Sequence, residues 1–276
     1  MRYVLAISGG VDSVVLLDMA IKGLLSDIDK DNLLVAHFNH GIRPASSDDG
    51  EFVRKLAEKY GLEFQLGNGN LGKDAGEELA RKKRYEFLRK ISKDGKIVTA
   101  HHQDDLIETI LINLIRGTGW RGLAPFWSDD IIRPLLNKTK AEIVEYAIKN
   151  NLEWVDDETN FSDRYLRNRV RNISSRMTVK QRQELLKIYE KQAKIRDEIE
   201  SSLGGIVWDR KILDLPEEVA IEVLRNIVGA KLTIPQTKRL LKNLKTAKSG
   251  DILQPGGGIQ IGIYKDSITI SSLCTS

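Results

Sequence analysis

Four short apolar runs fall in the first hundred residues: Tyr3 to Ile7, Leu33 to Phe38, Leu62 to Leu66 and Ile97 to Ala100. Each precedes a segment of helical period, respectively Val11 to Leu25, Ser46 to Tyr60, Gly76 to Ile91 and Asp104 to Ile115. A run of strand length that stays apolar suits a strand covered on both faces. Strand and helix in strict alternation leave few topologies, because βαβ units close into a parallel sheet with helices on either side. The expected class is therefore α/β, a doubly wound parallel sheet. Ligands in such sheets sit beyond the carboxyl ends of the strands, so chemistry is expected in the strand-to-helix turns.

Beyond Gly119 the alternation loosens. A helix is predicted from Thr139 to Asn150, followed by the polar stretch WVDDETNFSDRYLRNRVR, which reads as an Arg-rich loop. From Thr178 to Leu203 a narrow apolar stripe predicts one long connector helix. Two helices near Glu217 to Val228 and Pro235 to Leu244 and a hairpin around Lys265-Asp266 complete the chain. A length of 276 residues accommodates two domains. The expected division is 1–177, carrying the chemistry, and 178–276, a connector helix with a smaller, mainly helical domain.

Composition removes several classes of function. No apolar run reaches the roughly 18 residues of a membrane span, and the opening MRYVLAIS is too short for a signal peptide, so a cytoplasmic location is expected. The one cysteine, Cys274, permits no intramolecular disulfide and no cysteine-held iron-sulfur cluster. Between Arg164 and Lys194 ten Lys or Arg stand against two acids, although the whole chain is only +4. Clustered cations of this kind suit a polyanion, whose condensed counterions they release. A solvated helical face is the alternative.

Ser8, Gly9, Gly10, Val11, Asp12 and Ser13 follow the first strand directly and open the first helix. Two glycines permit a sharp turn that aims backbone N–H groups at an anion, and the helix amino end adds positive partial charge. The segment lacks the lysine of the Walker A pattern and the third glycine of the dinucleotide fingerprint. An acid inside an anion site repels phosphate unless a cation intervenes, which makes Asp12 a candidate ligand for Mg²⁺. In TAHHQDDLIET, His101 and His102 end the fourth strand, and Asp105 and Glu108 share one helical face. His101, Asp105 and Glu108 are expected to converge, with Asp104 capping the helix. One His with two carboxylates is a poor zinc site and a better place for Mg²⁺ and acid–base work.

SGGVDS resembles the pyrophosphate loop of the N-type ATP pyrophosphatases, the PP-loop superfamily. Four further stretches, AHFNHGIR, ARKKRYEFL, TAHHQDDLIETILINLIRGTGWRGL and DETNFSDRYLRNRVR, are similar to its tRNA(Ile)-lysidine synthase branch, in its shorter form without a large carboxyl-terminal extension. The resemblance covers residues 3 to about 175. It implies an adenine nucleotide alpha hydrolase-like sheet and a ligase that consumes ATP with Mg²⁺. Its substrates would be free L-lysine and a tRNA(Ile) with a CAU anticodon. It further implies catalytic roles for Asp105 and Arg84, with His101, Glu108, Arg167 and Arg171 as candidates beside them. Asp12 and Asp105 would hold the metal, and His37 and His40 would stand near the adenine. Lys180, Arg182, Lys187 and Lys191 are the candidate tRNA contacts. A homodimer is compatible with the sequence. The rival readings are a tRNA cytidine thiolase, a small-molecule adenylating ligase, and an ATP-binding sensor without chemistry.

Overall fold

A computed structural model describes residues 1–41, 46–69, 71–72, 76–155, 166–203, 208, 210–228, 232–264 and 267–272. The chain divides into two compact units, Met1–Gln192 and Ala193–Ser276.

In the first unit, β1 (Tyr3–Ala6), β2 (Leu33–Asn39), β3 (Glu63–Asn68), β4 (Lys96–Val98) and β5 (Ile131–Ile132) form one parallel sheet in the order β3-β2-β1-β4-β5. The helices between them are α1 (Val11–Ile21), α2 (Ser46–Lys59), α3 (Glu77–Ser92) and α4 (Gln103–Ile115), with α5 (Lys140–Lys149) after β5. Alternate strand residues serve opposite faces, as the two-residue period of a strand requires. Leu5, Val35 and Val98 pack with Leu16, Leu17, Val53, Ala57, Ile143 and Ala147 of α1, α2 and α5. Val4, Leu34, Ala36 and Ile97 pack with Tyr85 and Leu88 of α3. Each such fully buried Leu or Val contributes roughly 1.5–3 kcal/mol. The sheet is thus doubly wound, and its strand order reverses between β1 and β4.

The polar stretch ends differently from its reading as a loop. Residues 156–165 lie outside the described set, but Leu166–Ser174 is a helix, α6. Its packing stripe is Leu166, Val170 and Ser174, spaced by four, with Val170 and Ser174 buried. That spacing puts these three residues on one face of the helix.

The long helix, α7, runs Val179–Leu203, and the boundary between the two units falls within it rather than at its start. Its first half belongs with the sheet unit because Arg182 bonds Asp104 of α4 and the Ser174 carbonyl of α6. The second unit is mainly helical, with a small sheet added to its helices. Helices α8 (Glu217–Ile227) and α9 (Ile234–Thr246) share a core with an antiparallel sheet of β6 (Ile252–Gly256), β7 (Ile259–Ile263) and β8 (Ile268–Ser272). The hairpin around residues 265–266 is β7–β8, and β6 adds a third strand. Among the described residues no helix is long and apolar enough to cross a membrane.

Candidate active site

The turn between β1 and α1 is shaped from inside by Ser13. Its Oγ accepts the N–H groups of Ser8 (3.2 Å) and Gly9 (3.1 Å) and donates to the Gly10 carbonyl at 2.8 Å. Ser13 is 4% exposed, and its hydroxyl holds the loop's curvature. Gly9 has φ +98°, a conformation that only glycine adopts without strain, and Val155 covers it by donating to its carbonyl at 3.0 Å. Left to meet an anion are the N–H groups of the first helical turn, at Val11 and Asp12, which have no intrahelical acceptor by position.

Asp12 faces two cationic or potentially cationic groups. Lys140 Nζ, from the first turn of α5, donates to its Oδ1 at 2.5 Å, and His102 Nε2 stands 3.8 Å away. The lysine that the loop itself lacks is therefore supplied from α5, a residue with no motif to single it out in the sequence. Asp12 and His102 belong to the turns after β1 and β4, the two strands that flank the reversal of strand order. This is the crevice where doubly wound sheets place their ligands.

The two histidines have different partners. His102, 7% exposed, stands among the acids: its Nε2 is 3.5 Å from Asp105 Oδ2, and its Nδ1 is 3.8 Å from Asp104 Oδ2. His101 bonds Thr99 Oγ1 through Nδ1 at 2.8 Å and lies against the Phe126 ring. The aspartates differ from expectation. Asp105 stabilises its own helix, its Oδ2 accepting the His102 N–H at 3.0 Å as the third helical residue of a capping box. Asp104 instead bonds the Lys140 N–H at the start of α5 (2.8 Å) and the Arg182 guanidinium on α7 (2.6 Å). Burial alone would raise the Asp104 pKa, but the Lys140 N–H and the Arg182 guanidinium outweigh it and hold the carboxyl below its ordinary value.

Glu108 lies one turn further along α4 than Asp105. It is 3% exposed and accepts Arg171 Nε at 3.0 Å, a buried carboxylate paired across α4 and α6. The Arg167 side chain lies outside the described set. Arg84 sits on α3 with its guanidinium 5.4 Å from the Tyr85 ring, close enough to His40 to disfavour a second charge there. Burial first, then Arg84 and His37, push the His40 pKa down to about 4. His37 is buried with Nδ1 on the Ile7 carbonyl at 2.9 Å, and burial lowers its pKa too. Of the four candidate tRNA contacts, Lys180, Lys187 and Lys191 are exposed, whereas Arg182 is bound to Asp104 and to the Ser174 carbonyl (3.0 Å). Among the described residues no group of three or more His, Cys, Asp or Glu forms a metal cage. Two convergent carboxylates, Asp12 and Asp105, still suit Mg²⁺, which takes few protein ligands and completes its shell with phosphate and water.

Residues 1–176 match the family described as the PP-loop domain. A Thermotoga maritima protein named tRNA(Ile)-lysidine synthase is 41% identical over 182 residues, covering 62% of this chain and 44% of that protein. One of the same name from Actinobacillus pleuropneumoniae serotype 3 is 37% identical over 179 residues, covering 62% and 41%. The chain thus matches less than half the length of these relatives. Among solved structures, the U34-tRNA thiolase NcsA from Methanococcus maripaludis with its [4Fe-4S] cluster has a TM-score of 0.60 at 20% identity. That match spans 71% of this chain and 73% of the thiolase, a likeness of fold.

Proposed function

The chain belongs to the PP-loop family, and on that footing we propose that it ligates L-lysine to the 2-position of the wobble cytidine in the CAU anticodon of tRNA(Ile). The observation that carries this reading is the meeting of Asp12, from the turn after β1, with His102 and Asp105, from the turn after β4. ATP is split in two steps. The cytosine 2-carbonyl oxygen attacks the α-phosphate and pyrophosphate departs, received by the first-turn N–H groups of α1 and by Lys140. The neutral ε-amine of lysine then attacks the adenylated carbon, AMP leaves with the former carbonyl oxygen, and the amine gives up a proton.

Free lysine is protonated near neutrality, so a base must take a proton before attack. Asp105 fits that role: it lies in the crevice, and its capping bond fixes its orientation without removing its charge. Bound between Asp12 and Asp105, Mg²⁺ would neutralise charge developing on the leaving pyrophosphate. Lys180, Lys187 and Lys191, all exposed on α7, would supply RNA backbone contacts from the part of the chain that introduces the second unit.

Labelled lysine and a tRNA(Ile) transcript with a CAU anticodon test the reading directly. One lysine per tRNA with matching AMP and pyrophosphate is the expected result. Pyrophosphate release without RNA, and no label in the tRNA, would replace it with a small-molecule adenylating ligase.

A further inference from the structure

A second cluster of cations stands on the β4–β5 side of the sheet. Around the Tyr85 ring on α3, the guanidinium carbons of Arg81, Arg84 and Arg89 lie at 5.0, 5.4 and 5.7 Å. Arg89 is balanced by Asp130 at 2.7 Å. Arg133, the residue directly after β5, lies over the Phe126 ring at 4.9 Å and donates to the Phe126 carbonyl at 2.6 Å. Burial chiefly disfavours the Arg133 charge, and Arg81 adds repulsion, so the two guanidinium groups feel one another. Among the described residues neither Arg81 nor Arg133 forms an ion pair with a carboxylate. Arginine does not give up its proton in proteins, so two half-buried cations without a counter-ion are costly unless an anion joins them.

The backbone here is also under constraint. Phe126 has φ +68°, a left-handed conformation that bulky residues rarely adopt. Arg133 and His101 both lie against its ring, the His101 ring centroid 5.0 Å away. A fold that maintains an unfavourable dihedral in order to place Phe126 thereby fixes the plane of Arg133. A guanidinium stacked on an aromatic face keeps its N–H edge free for two-pronged bonding to a phosphate. Arg133 follows β5 directly, and β5 pairs in parallel with β4, so this edge stands beside the turn after β4.

We propose that Arg81 and Arg133, set by Tyr85 and Phe126, form a second anion site that takes a backbone phosphate of a single-stranded RNA segment beside the reacting base. The site rests on the RNA substrate proposed above. Phosphates of ATP are already provided for at the turn after β1, whereas Arg133 follows the edge strand on the far side of β4. An RNA loop whose base enters the crevice carries further phosphates outward in that direction.

The probe is a fluorescent anticodon stem-loop oligonucleotide, with binding to the full chain read by anisotropy over a range of salt, in the absence of ATP and lysine. Arg81→Gln and the Arg81→Gln/Arg133→Gln double variant are compared with wild type. The two arginines share one phosphate, so the double variant, which leaves it without an arginine, should flatten the slope of log affinity against log salt by about 0.7, and Arg81→Gln should give part of that change. The Michaelis constant for ATP should stay unchanged. Arg133→Gln also removes the bond to Phe126 and can disturb the loop, so Arg81→Gln, which gives up only stacking on Tyr85, carries the test by itself if the double variant melts early. An unchanged slope in Arg81→Gln overturns the site. So does a raised Michaelis constant for ATP with unaltered RNA binding, which would assign the arginines to the nucleotide. Because binding is read without chemistry, a wild type that binds the stem-loop but incorporates no lysine would refute the ligase reading and leave this site standing.

Discussion

Asp104→Asn removes one negative charge from a junction that joins α4, α5 and α7. In the structure the Asp104 carboxylate accepts the Lys140 N–H at 2.8 Å and the Arg182 guanidinium at 2.6 Å, with the two side chains 20% and 22% exposed. Exposed ion pairs are worth about 0–1 kcal/mol, and breaking a fully buried one costs about 3–5 kcal/mol. A pair at one-fifth exposure lies between these limits, and hydrogen bonds to charged groups contribute about 1.5–3 kcal/mol each. Asparagine keeps an oxygen for Lys140 but cannot neutralise Arg182, so a loss of about 2 kcal/mol is expected. For a unit of this size that lowers the melting temperature by roughly 4–8 °C. The pH dependence follows from the depressed pKa. A carboxyl held below its ordinary value of 3.8 stabilises fully above that value, and its contribution disappears as pH falls through the folded pKa. The gap between wild type and variant should therefore be constant from about pH 5 to 8 and close in stronger acid. Circular dichroism melts across this range provide the measurement, with Arg182→Gln and the double variant completing a thermodynamic cycle. If Asp104→Asn melts with wild type at neutral pH, the junction holds nothing and the assignment of α7's first half to the sheet unit loses its main support.

Three further outcomes are expected. Asp12→Asn gives up only a half-exposed pair with Lys140, so its melt should move by less than about 1 kcal/mol, while RNA-dependent pyrophosphate release falls by roughly 10² or more; comparable losses in both would make Asp12 a structural residue. His40, with its pKa pushed down to about 4 from 6.5, stays neutral when folded while the unfolded chain takes up a proton, so stability should decline as pH falls from 6.5 to about 4. His40→Gln should flatten that part of the denaturation profile, and an unaltered slope would refute the burial of His40. Replacing Lys180, Lys187 and Lys191 with Gln should flatten the salt dependence of tRNA binding by up to about 2–3 and raise the Michaelis constant for tRNA alone; an unchanged slope would show α7 to be a solvated face.

Most of the sheet unit can be read from periodicity because its strands are buried on both sides and its helices on one. Leu33 to Ala36 is unbroken apolar sequence, and α1 begins where two glycines stop. Where burial is partial the signal weakens. β5 has two residues, Ile131 and Ile132, too few to declare a period, and its pairing with Ile97 and Val98 is a tertiary fact. α6 is obscured by its arginines: the pattern that matters there is the uncharged Leu166, Val170 and Ser174, and serine does not advertise a buried position. β6 contains Pro255 and Gly256, residues that argue against a strand unless it lies at an edge, which is where β6 lies.

The candidate site is legible as motifs but not as roles, and the reason is geometric. His101 and His102 are neighbours in an extended segment, so their side chains point to opposite sides, and only the position of β4 in the sheet decides which one meets Asp12. Asp104 and Asp105 are likewise about 100° apart on α4. A helical turn's own capping requirement claims Asp105, and a cation from α7, 78 residues later, claims Asp104. Lys140 is the sharper case, since its chemistry depends on Asp12, 128 residues earlier, and on α5 packing beside α1. Residue types and spacing thus disclose that a phosphate crevice exists at the β1–β4 reversal. The partners of the two adjacent acids are ones that only the folded chain brings there. Asp105 bonds a backbone N–H, whereas Asp104 is already paired with Arg182, and that difference is why Asp105 is the acid proposed as the base.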